Sequence, residues 1–443
     1  MRFIVKSYGC QMNSYDSQRM EDSLLEASHQ RANSLVDARL IVFNTCCIRE
    51  KASEKLFSDL GRVRALMNGS AEKFLIAVTG CVAQFQAQDV LKRAPWVDII
   101  LGTQDIHQIA TKVDEAMHKQ LSGSLVSTTL NAKSKFMRLS EQFFHRNVAE
   151  FITIQEGCNN FCTYCVVPHS RGREFSRAAV DVIQEAKQLI LLGVKEITLL
   201  GQNVNAYAGE GLDGKKWNLS RLLAEFGQLN GLKRLRYITS HPRYMDEGIA
   251  EAHEKIATLA PSLHLPIQSG SNRVLGRMNR KYTVEEYLKC IQMLREHRPD
   301  LAFSSDFIVG FPGETDEDFQ QTIELVEKVR FSQAYSFKYS SRPNTAAATM
   351  NDQISDTIKS QRLRVLQDLL NEQQNKFNKS FVGRHVNVLF TKKGKHKDQI
   401  TGRSEYAQAV TVYNDDGAVF IGDIARVEVT ETLPHSLIGK VVK

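Results

Sequence analysis

Long hydrophobic runs are absent: nothing in the chain approaches the ~20 uncharged apolar residues that a membrane helix needs. The opening residues, Met1-Arg2-Phe3-Ile4-Val5-Lys6, break their short apolar run at Lys6. They form no signal-peptide core, so a cytoplasmic protein with no membrane attachment is expected. Internal repeats and low-complexity tracts are missing too. Charge is nearly balanced, with 57 Lys and Arg against 50 Asp and Glu, a net +7. That surplus is compatible with a polyanionic partner and too small to establish one. Eight cysteines in 443 residues are too few for a disulfide scaffold, and a cytosol keeps them reduced. A composition 42% hydrophobic and 24% charged is that of a globular protein of about three domains at roughly 150 residues each.

The cysteines matter by position. Cys158, Cys162 and Cys165 form a tight cluster, Cys10, Cys46 and Cys81 recur at intervals of about 36 residues, and Cys47 and Cys290 stand apart. Through the first ~120 residues short apolar runs (Phe3 to Val5, Leu40 to Phe43, Phe74 to Val78, Val97 to Leu101) alternate with helix-like stretches beginning near Asn13, Lys51, Gln84 and Gln104. That alternation predicts an α/β unit with a doubly wound parallel sheet. Ser7-Tyr8-Gly9-Cys10, Asn44-Thr45-Cys46 and Thr79-Gly80-Cys81 each follow one of these runs. Ligands bind at the carboxyl edge of such sheets, so the three cysteines should converge there.

Residues 121–143 lose periodicity and read as a linker between a first domain, 1–120, and a second, 144–378. Within the second domain, strands near 151–155, 195–200, 233–239, 262–266, 301–309 and 332–339 alternate with helices. Six such units suggest a partial (β/α)6 barrel. A polar helix over about 355–378 leads to a third domain, 379–443. Its short segments, His385 to Phe390, Ala407 to Tyr413, Ala418 to Ile421 and Arg426 to Thr430, suggest a small antiparallel β-barrel of the kind often used for nucleic acid.

Cys158-x3-Cys162-x2-Cys165 directly follows a strand. Three thiolates this close can hold three irons of a 4Fe-4S cluster and leave the fourth open to another ligand. Zinc would want a fourth ligand, for which His169 is the nearest candidate. With Tyr164 before the last cysteine, the motif resembles the C-x3-C-x-aromatic-C signature of the radical S-adenosylmethionine (SAM) enzymes. Further segments resemble the methylthiotransferase branch of that family. They include Asn44-Thr45-Cys46, Ile48-Arg49-Glu50-Lys51-Ala52, Arg171-Gly172-x-Glu174-x-Ser176-Arg177, Leu200-Gly201-Gln202-Asn203, Ser240-His241-Pro242, His264-Leu265-Pro266-Ile267-Gln268 and Ser305-Asp306-Phe307 through Thr315. The resemblance runs from Tyr8 to Val442.

The resemblance implies that Cys158, Cys162 and Cys165 hold a cluster whose open iron takes SAM, which one electron then cleaves to methionine and a 5′-deoxyadenosyl radical. It implies a second 4Fe-4S cluster on Cys10, Cys46 and Cys81, where sulfur is loaded, and a C-terminal TRAM domain that binds RNA. Cys47 takes the place of the usual Ser or Ala. Adjacent residues of an extended chain point to opposite sides, so Cys46 is taken as the ligand. Gln202, Ser240, Gln268 and Asp306, expected at or near strand ends, are candidates for contacting SAM. Gly310 to Thr315 would line its adenine and ribose, or simply turn into a helix capped by Thr315 and favoured by Asp316, Glu317 and Asp318. Arg171, Arg173 and Arg177 would ordinarily form a solvated basic face; near a cluster they could meet the SAM carboxylate or an RNA phosphate. Lys392, Lys393, Lys395 and Lys397 form a basic loop suited to RNA phosphates.

The implied reaction is methylthiolation of carbon 2 of N(6)-isopentenyladenosine beside the tRNA anticodon, with two SAM molecules per turnover. The implied partners are the tRNA anticodon stem-loop, a reductant protein and a sulfur donor or cluster-assembly system, acting on a monomer. The same chemistry on threonylcarbamoyl-adenosine or a ribosomal-protein aspartate is the nearest rival, which Ile48 to Ala52 and Ser340-Ser341-Arg342-Pro343-x-Thr345 argue against. A non-catalytic iron–sulfur RNA-binding protein and a zinc-containing one are the rivals of other classes.

Overall fold

A computed structural model describes residues 1–47, 50–67, 74–118, 123–137, 139, 142–144, 146–414 and 417–442. Ile48 and Arg49, and the side chains of Glu50 and Lys51, lie outside the described residues, so that segment's part in the resemblance has no structural counterpart here. No described helix is long and apolar enough to cross a membrane.

The first unit is a six-stranded parallel sheet. Its strands are β1 (Arg2–Tyr8), β2 (Gln30–Arg31), β3 (Leu40–Thr45), β4 (Leu75–Thr79), β5 (Ile99–Leu101) and β6 (Leu125–Ser127), in the order β2-β1-β3-β4-β5-β6. Alternate residues serve opposite faces, as a pleated strand requires. Leu40, Val42 and Ala77 pack beneath helices α1 (Gln11–Glu26) and α4 (Ile109–His118). Ile41, Phe43 and Val78 pack beneath α2 (Glu50–Met67) and α3 (Cys81–Arg93). This is the doubly wound arrangement expected. The supposed linker is a correction: β6 extends the sheet and α5 (Ala132–Met137) follows it. Both elements are too short to show a hydrophobic period, and their order comes from pairing with a distant partner.

The parallel strands of the second unit are β7 (Ala149–Thr153), β8 (Glu196–Leu200), β9 (Arg234–Ile238), β10 (Ser262–His264), β11 (Ala302–Val309) and β12 (Gln333–Lys338), beside two short antiparallel pairs. They form two parallel three-stranded sheets, β7-β8-β9 and β10-β11-β12; the Leu235–Leu259 bridge and the hydrogen bond from Arg236 Nη1 to Ser262 Oγ at 2.6 Å link β9 to β10 and the residues before it. Ile152, Ile197, Leu199, Leu235, Leu263, Phe303, Phe307 and Val309 face the surrounding helices and build the largest core. The alternate residues therefore line the barrel lumen. On the β7 side, α1 fills part of that lumen with Met12 and Tyr15 against Leu200, Phe151 and Ile238. On the β12 side the described structure adds no further strand, and the barrel is open.

The 24-residue helix Asp356–Lys379 leads to a closed five-stranded barrel. Its strands are β13 (His385–Lys393), β14 (Gln399–Ser404), β15 (Ala409–Tyr413), β16 (Ile424–Leu433) and β17 (Ser436–Val441). The β15–β17 pair is parallel and the other four pairs are antiparallel. Ala418 to Ile421, expected as a strand, is a loop. The Asn414 amide binds both the N–H and the carbonyl of Val419, which holds that backbone away from any ladder. This domain is docked through Arg234 and Arg236 of β9, which donate to the carbonyls of Asn387, Arg403, Ser404 and Glu405 while pairing with buried Glu196.

Candidate active site

Cys10 is the N-cap of α1, Cys46 follows β3, and Cys81 opens α3, so all three stand at the carboxyl edge of the sheet. Two glycines permit the approach. Gly9 has φ +138°, and a Cβ there would lie 2.3 Å from Cys46 Cβ; Gly80 has φ +86° and a Cβ would lie 2.2 Å from Asn44 Oδ1. Asn44 fixes the strand end by donating to Asn13 O at 2.9 Å and Ser17 Oγ at 3.0 Å, while Asn13 in turn meets the Cys10 thiol at 3.3 Å. The Cys46 thiol is within hydrogen-bonding reach of both Cys10 and Cys81. Contact with Cys46 lowers Cys10 to about 7 and, together with Cys47, holds Cys81 well below its ordinary value; the same contacts raise Cys46. Two helix N-termini aimed at these sulfurs add favourable potential for anionic groups. Cys47 packs in the core beneath α3, as an apolar residue would, yet its thiol also reaches Cys81.

Cys158, Cys162 and Cys165 lie in the loop after β7. Gly157 starts the turn with φ +81°, where a Cβ would meet Arg173 O at 2.1 Å. Its N–H donates to Gln202 Oε1 at 2.5 Å and its carbonyl accepts from Gln155 Nε2 at 2.6 Å. Asn160 donates to Cys158 Sγ through its N–H and amide at 3.5 and 3.4 Å, Val167 N to Cys165 Sγ at 3.5 Å, and Arg280 Nη1 to Cys162 Sγ at 3.5 Å. Donors on sulfur favour the thiolate. Burial nonetheless pushes Cys158 up and Cys165 up to about 12, with the neighbouring thiols adding to the effect. Arg280 had no motif to mark it; its guanidinium is held by Pro266 O at 2.9 Å and Tyr282 Oη at 2.8 Å.

One short helix, Val167–Arg171, joins the two cysteine sets. It begins two residues after Cys165 and packs on α3, with Val166 in the core beside Cys47 and Cys81. Thr103 Oγ1 and Gln104 Nε2 hold the carbonyls of Ser170 and Arg171 at 2.7 and 2.6 Å. The Arg171 guanidinium reaches the Cys81 thiol. It also donates to Asp16 Oδ2 at 2.8 Å and Glu156 Oε1 at 3.0 Å, and Lys135 Nζ binds the other oxygens of the same carboxylates at 2.7 and 2.8 Å. Arg171 and Arg177 are therefore not a solvated face: Arg177 pairs with buried Glu185 at 2.7 Å, and only Arg173 is exposed.

The other candidates are placed as follows. Gln202 is occupied by the Cys158 loop. Ser240 is buried beyond the end of β9; its Oγ and both side-chain atoms of nearby buried Asn203 have no partner among the described residues. Gln268, at φ +79°, bridges by its backbone to β11. Asp306 is not at a strand end. It sits in the middle of β11, facing the lumen 3.3 Å from His264 Nε2. Thr315 caps helix Asp316–Val329 in a capping box with Asp318. Lys392 and Lys393 are not in a loop but end β13, paired with Thr401 and Ile400, and Lys395 and Lys397 follow in the connection to β14; all four are exposed. His169 is exposed, its ring 6.3 Å from that of Phe85 on α3.

Among the described residues no His, Cys, Asp or Glu group of three gathers round a single ion. A cubane makes a different demand, since each thiolate takes its own iron rather than sharing one ion. The glycine-permitted convergence of Cys10, Cys46 and Cys81, the sulfur-directed donors on Cys158, Cys162 and Cys165, and the unpartnered polar atoms of Ser240 and Asn203 fit two such clusters and a polar cofactor.

Residues 152–326 match the radical SAM superfamily, residues 2–102 the uncharacterized protein family UPF0004, and residues 379–442 the TRAM domain. Among solved structures the chain resembles the radical S-adenosylmethionine methyltransferase TsrM from Kitasatospora setae (TM-score 0.57, 14% identity, 78% of this chain and 74% of that one). It also resembles the cobalamin-dependent radical enzyme OxsB (TM-score 0.51, 10% identity, 85% and 56%). At those identities the likeness concerns the fold. Much nearer relatives are proteins named tRNA-2-methylthio-N(6)-dimethylallyladenosine synthase. The one from Bartonella bacilliformis is 48% identical, over 99% of this chain and 96% of its own length. The one from Agrobacterium fabrum is 46% identical, over 99% and 97%. Likeness of that degree along the whole length means that the chain belongs to the tRNA-2-methylthio-N(6)-dimethylallyladenosine synthase family of radical SAM enzymes.

Proposed function

We propose that this chain methylthiolates carbon 2 of N(6)-isopentenyladenosine in the anticodon loop of tRNA, using two 4Fe-4S clusters and two SAM molecules per turnover. The observation that carries the reading is the meeting of two cysteine sets through the helix Val167–Arg171, beside one barrel lumen. When bound, the clusters and SAM supply an electron, a carbon radical, a methyl group and sulfur. An aromatic C–H offers no acidic proton and no leaving group, so acid–base catalysis alone has no foothold.

The chain's own residues have distinct tasks in this reading. Cys158, Cys162 and Cys165 hold the radical cluster, with Arg280, Asn160 and the Val167 N–H supporting thiolate charge. Cys10, Cys46 and Cys81 hold the sulfur-bearing one, with Arg171 opposite their charge. Ser240 and Asn203 present unpaired polar atoms to SAM at the strand ends, while Gln202 acts indirectly by holding the Cys158 loop. Asp306 is a lumen carboxylate within reach of SAM or substrate. Lys392, Lys393, Lys395 and Lys397 hold RNA phosphate, a contact that positions without reading sequence. In this reading the first domain runs from residue 1 through β6 and α5, followed by 144–378 and 379–443; the enzyme works in the cytoplasm as a monomer supplied by a reductant protein and a sulfur donor.

The test is anaerobic. Cluster-reconstituted protein is incubated with SAM, reductant and prenylated tRNA, and the nucleosides are analysed by mass spectrometry. The reading requires a nucleoside heavier by one methylthio group in place of hydrogen. Formation of 5′-deoxyadenosine with an unchanged nucleoside would show that the substrate is wrong.

A further inference from the structure

Most aromatic rings of the barrel are covered, but two on its last strand are not. Tyr335 is 48% exposed and Phe337 46%. In register, Asp306 pairs with Tyr335, Phe307 with Ser336 and Ile308 with Phe337. Paired residues of a parallel ladder share a face, and Phe307 is in the helix-facing core, so Tyr335 and Phe337 point into the lumen with Asp306 and Ile308. Being two residues apart, their rings stand roughly 7 Å from each other along the strand. Both sit on the open side of the barrel, across from the side that α1 fills.

Tyr335 is held in place. Gln333 Nε2 donates to its hydroxyl at 3.1 Å, and the His264 ring meets it edge-on at 6.5 Å between centroids. Phe337 connects the other way: Ile308, its partner in the ladder, packs against the same apolar cluster as Tyr164 of the cysteine loop. A continuous wall thus runs from the radical-cluster loop through Ile308 to Phe337 and Tyr335. Exposed rings in a soluble protein have a cost in water, and here two share one face beside the proposed reacting centre.

The geometry points to Tyr335 and Phe337 as the platform that receives the flipped-out prenylated adenine, stacking the base and covering its isopentenyl chain. This inference rests on the proposed function and names the residues that select its substrate. Single-stranded loops are read by splaying bases onto aromatic side chains, and every base offers a π-face. The five-carbon prenyl chain adds apolar area that Phe337 and Ile308 can cover. SAM also carries an adenine, which RNA-free SAM cleavage separates from the base of the tRNA. The helix Asp356–Lys379 packs along β12, and the lumen face of that strand, with no further strand beside it among the described residues, is where a polymer can present one base without threading.

The test compares the full-length protein with Tyr335→Ala, Phe337→Ala, the double variant and Tyr335→Phe. Equilibrium binding of anticodon stem-loops with and without the prenyl group is measured first, then methylthiolation kinetics and RNA-free SAM cleavage. Base–aromatic stacking corresponds to about ten- to hundredfold in affinity. The double variant should lose that much for the prenylated stem-loop and most of its preference over the unprenylated one, with KM rising more than kcat falls. Tyr335→Phe, which keeps the ring, should remain close to the parent, and SAM cleavage without RNA should be unchanged in all four. Unaltered prenyl preference in the double variant overturns the inference, as does a parallel fall in RNA-free SAM cleavage, which would assign the rings to SAM. Binding is read without turnover, so a parent that selects prenylated RNA but makes no methylthio product would refute the proposed reaction and leave the platform standing.

Discussion

Replacing Lys135 by methionine removes one cation from a buried ring of two cations and two carboxylates. Lys135, Asp16 and Glu156 have no exposed side-chain surface and Arg171 only 3%. The ring ties α1, α5 and the segments that flank the Cys158 loop. As built, its formal charges cancel. In Lys135→Met, Asp16 and Glu156 share Arg171 alone and the ring carries one uncompensated negative charge next to Cys81. Removing one partner of a buried ion pair costs about 3–5 kcal/mol, which is more than a hundredfold in the opening equilibrium. A chain of several domains has no single unfolding free energy, so a local readout is needed. Amide hydrogen exchange in α5 and the first turns of α1 should accelerate by more than about a hundredfold. A double variant, Lys135→Met with Asp16→Asn, rebalances the charge and should recover part of the protection. Exchange in Lys135→Met equal to that of the parent would refute the argument that this ring holds the two domains together.

Other consequences can be measured separately. Reconstituted parent should carry roughly eight irons per chain, and each triple cysteine variant, Cys10/Cys46/Cys81 or Cys158/Cys162/Cys165 to alanine, about four. Cys46→Ala should lose the auxiliary cluster while Cys47→Ala keeps it; the reverse would reassign the ligand. Burial pushes His253 from its ordinary 6.5 down to about 3, with Tyr237 Oη 2.7 Å from its ring. Below about pH 6.5 the unfolded chain takes up a proton that the folded ring refuses, so stability should fall as pH drops toward the folded value and be indifferent to His253 above it. Amide-exchange protection of the helix Glu247–Lys255, corrected for intrinsic exchange, should therefore change less between about pH 7 and pH 5 in His253→Gln than in the parent; an equal change would show that this ring is not buried neutral.

The barrel strands were legible where a buried parallel strand is a near-continuous apolar run, as Ile197 to Leu200 is. The convergence of Cys10, Cys46 and Cys81 was legible because three strand ends repeat the same pattern. Edge strands β2 and β6, of two and three residues, carry no period to read. Phe420 and Ile421 suggested a strand, but they are exposed in a loop that Asn414 holds. Arg171 and Arg177 looked like surface charge because their partners, Asp16 and Glu185, sit on helices that only the fold brings near. Arg280 carried no signal at all: its role depends on Cys162, 118 residues away. Tyr335 and Phe337 were read only as strand residues, because exposure on the lumen side follows from strand pairing rather than from local pattern.

The central claim is that two cysteine sets serve one lumen with different tasks. Its most direct test is one anaerobic mass-spectrometric assay of the parent and the Cys10/Cys46/Cys81 alanine variant, with SAM, reductant and prenylated tRNA. Both 5′-deoxyadenosine and methylthiolated nucleoside are quantified. The account predicts both products from the parent; the variant should still cleave SAM and leave the nucleoside without sulfur. Methylthiolation by that variant at the parent's yield would contradict it.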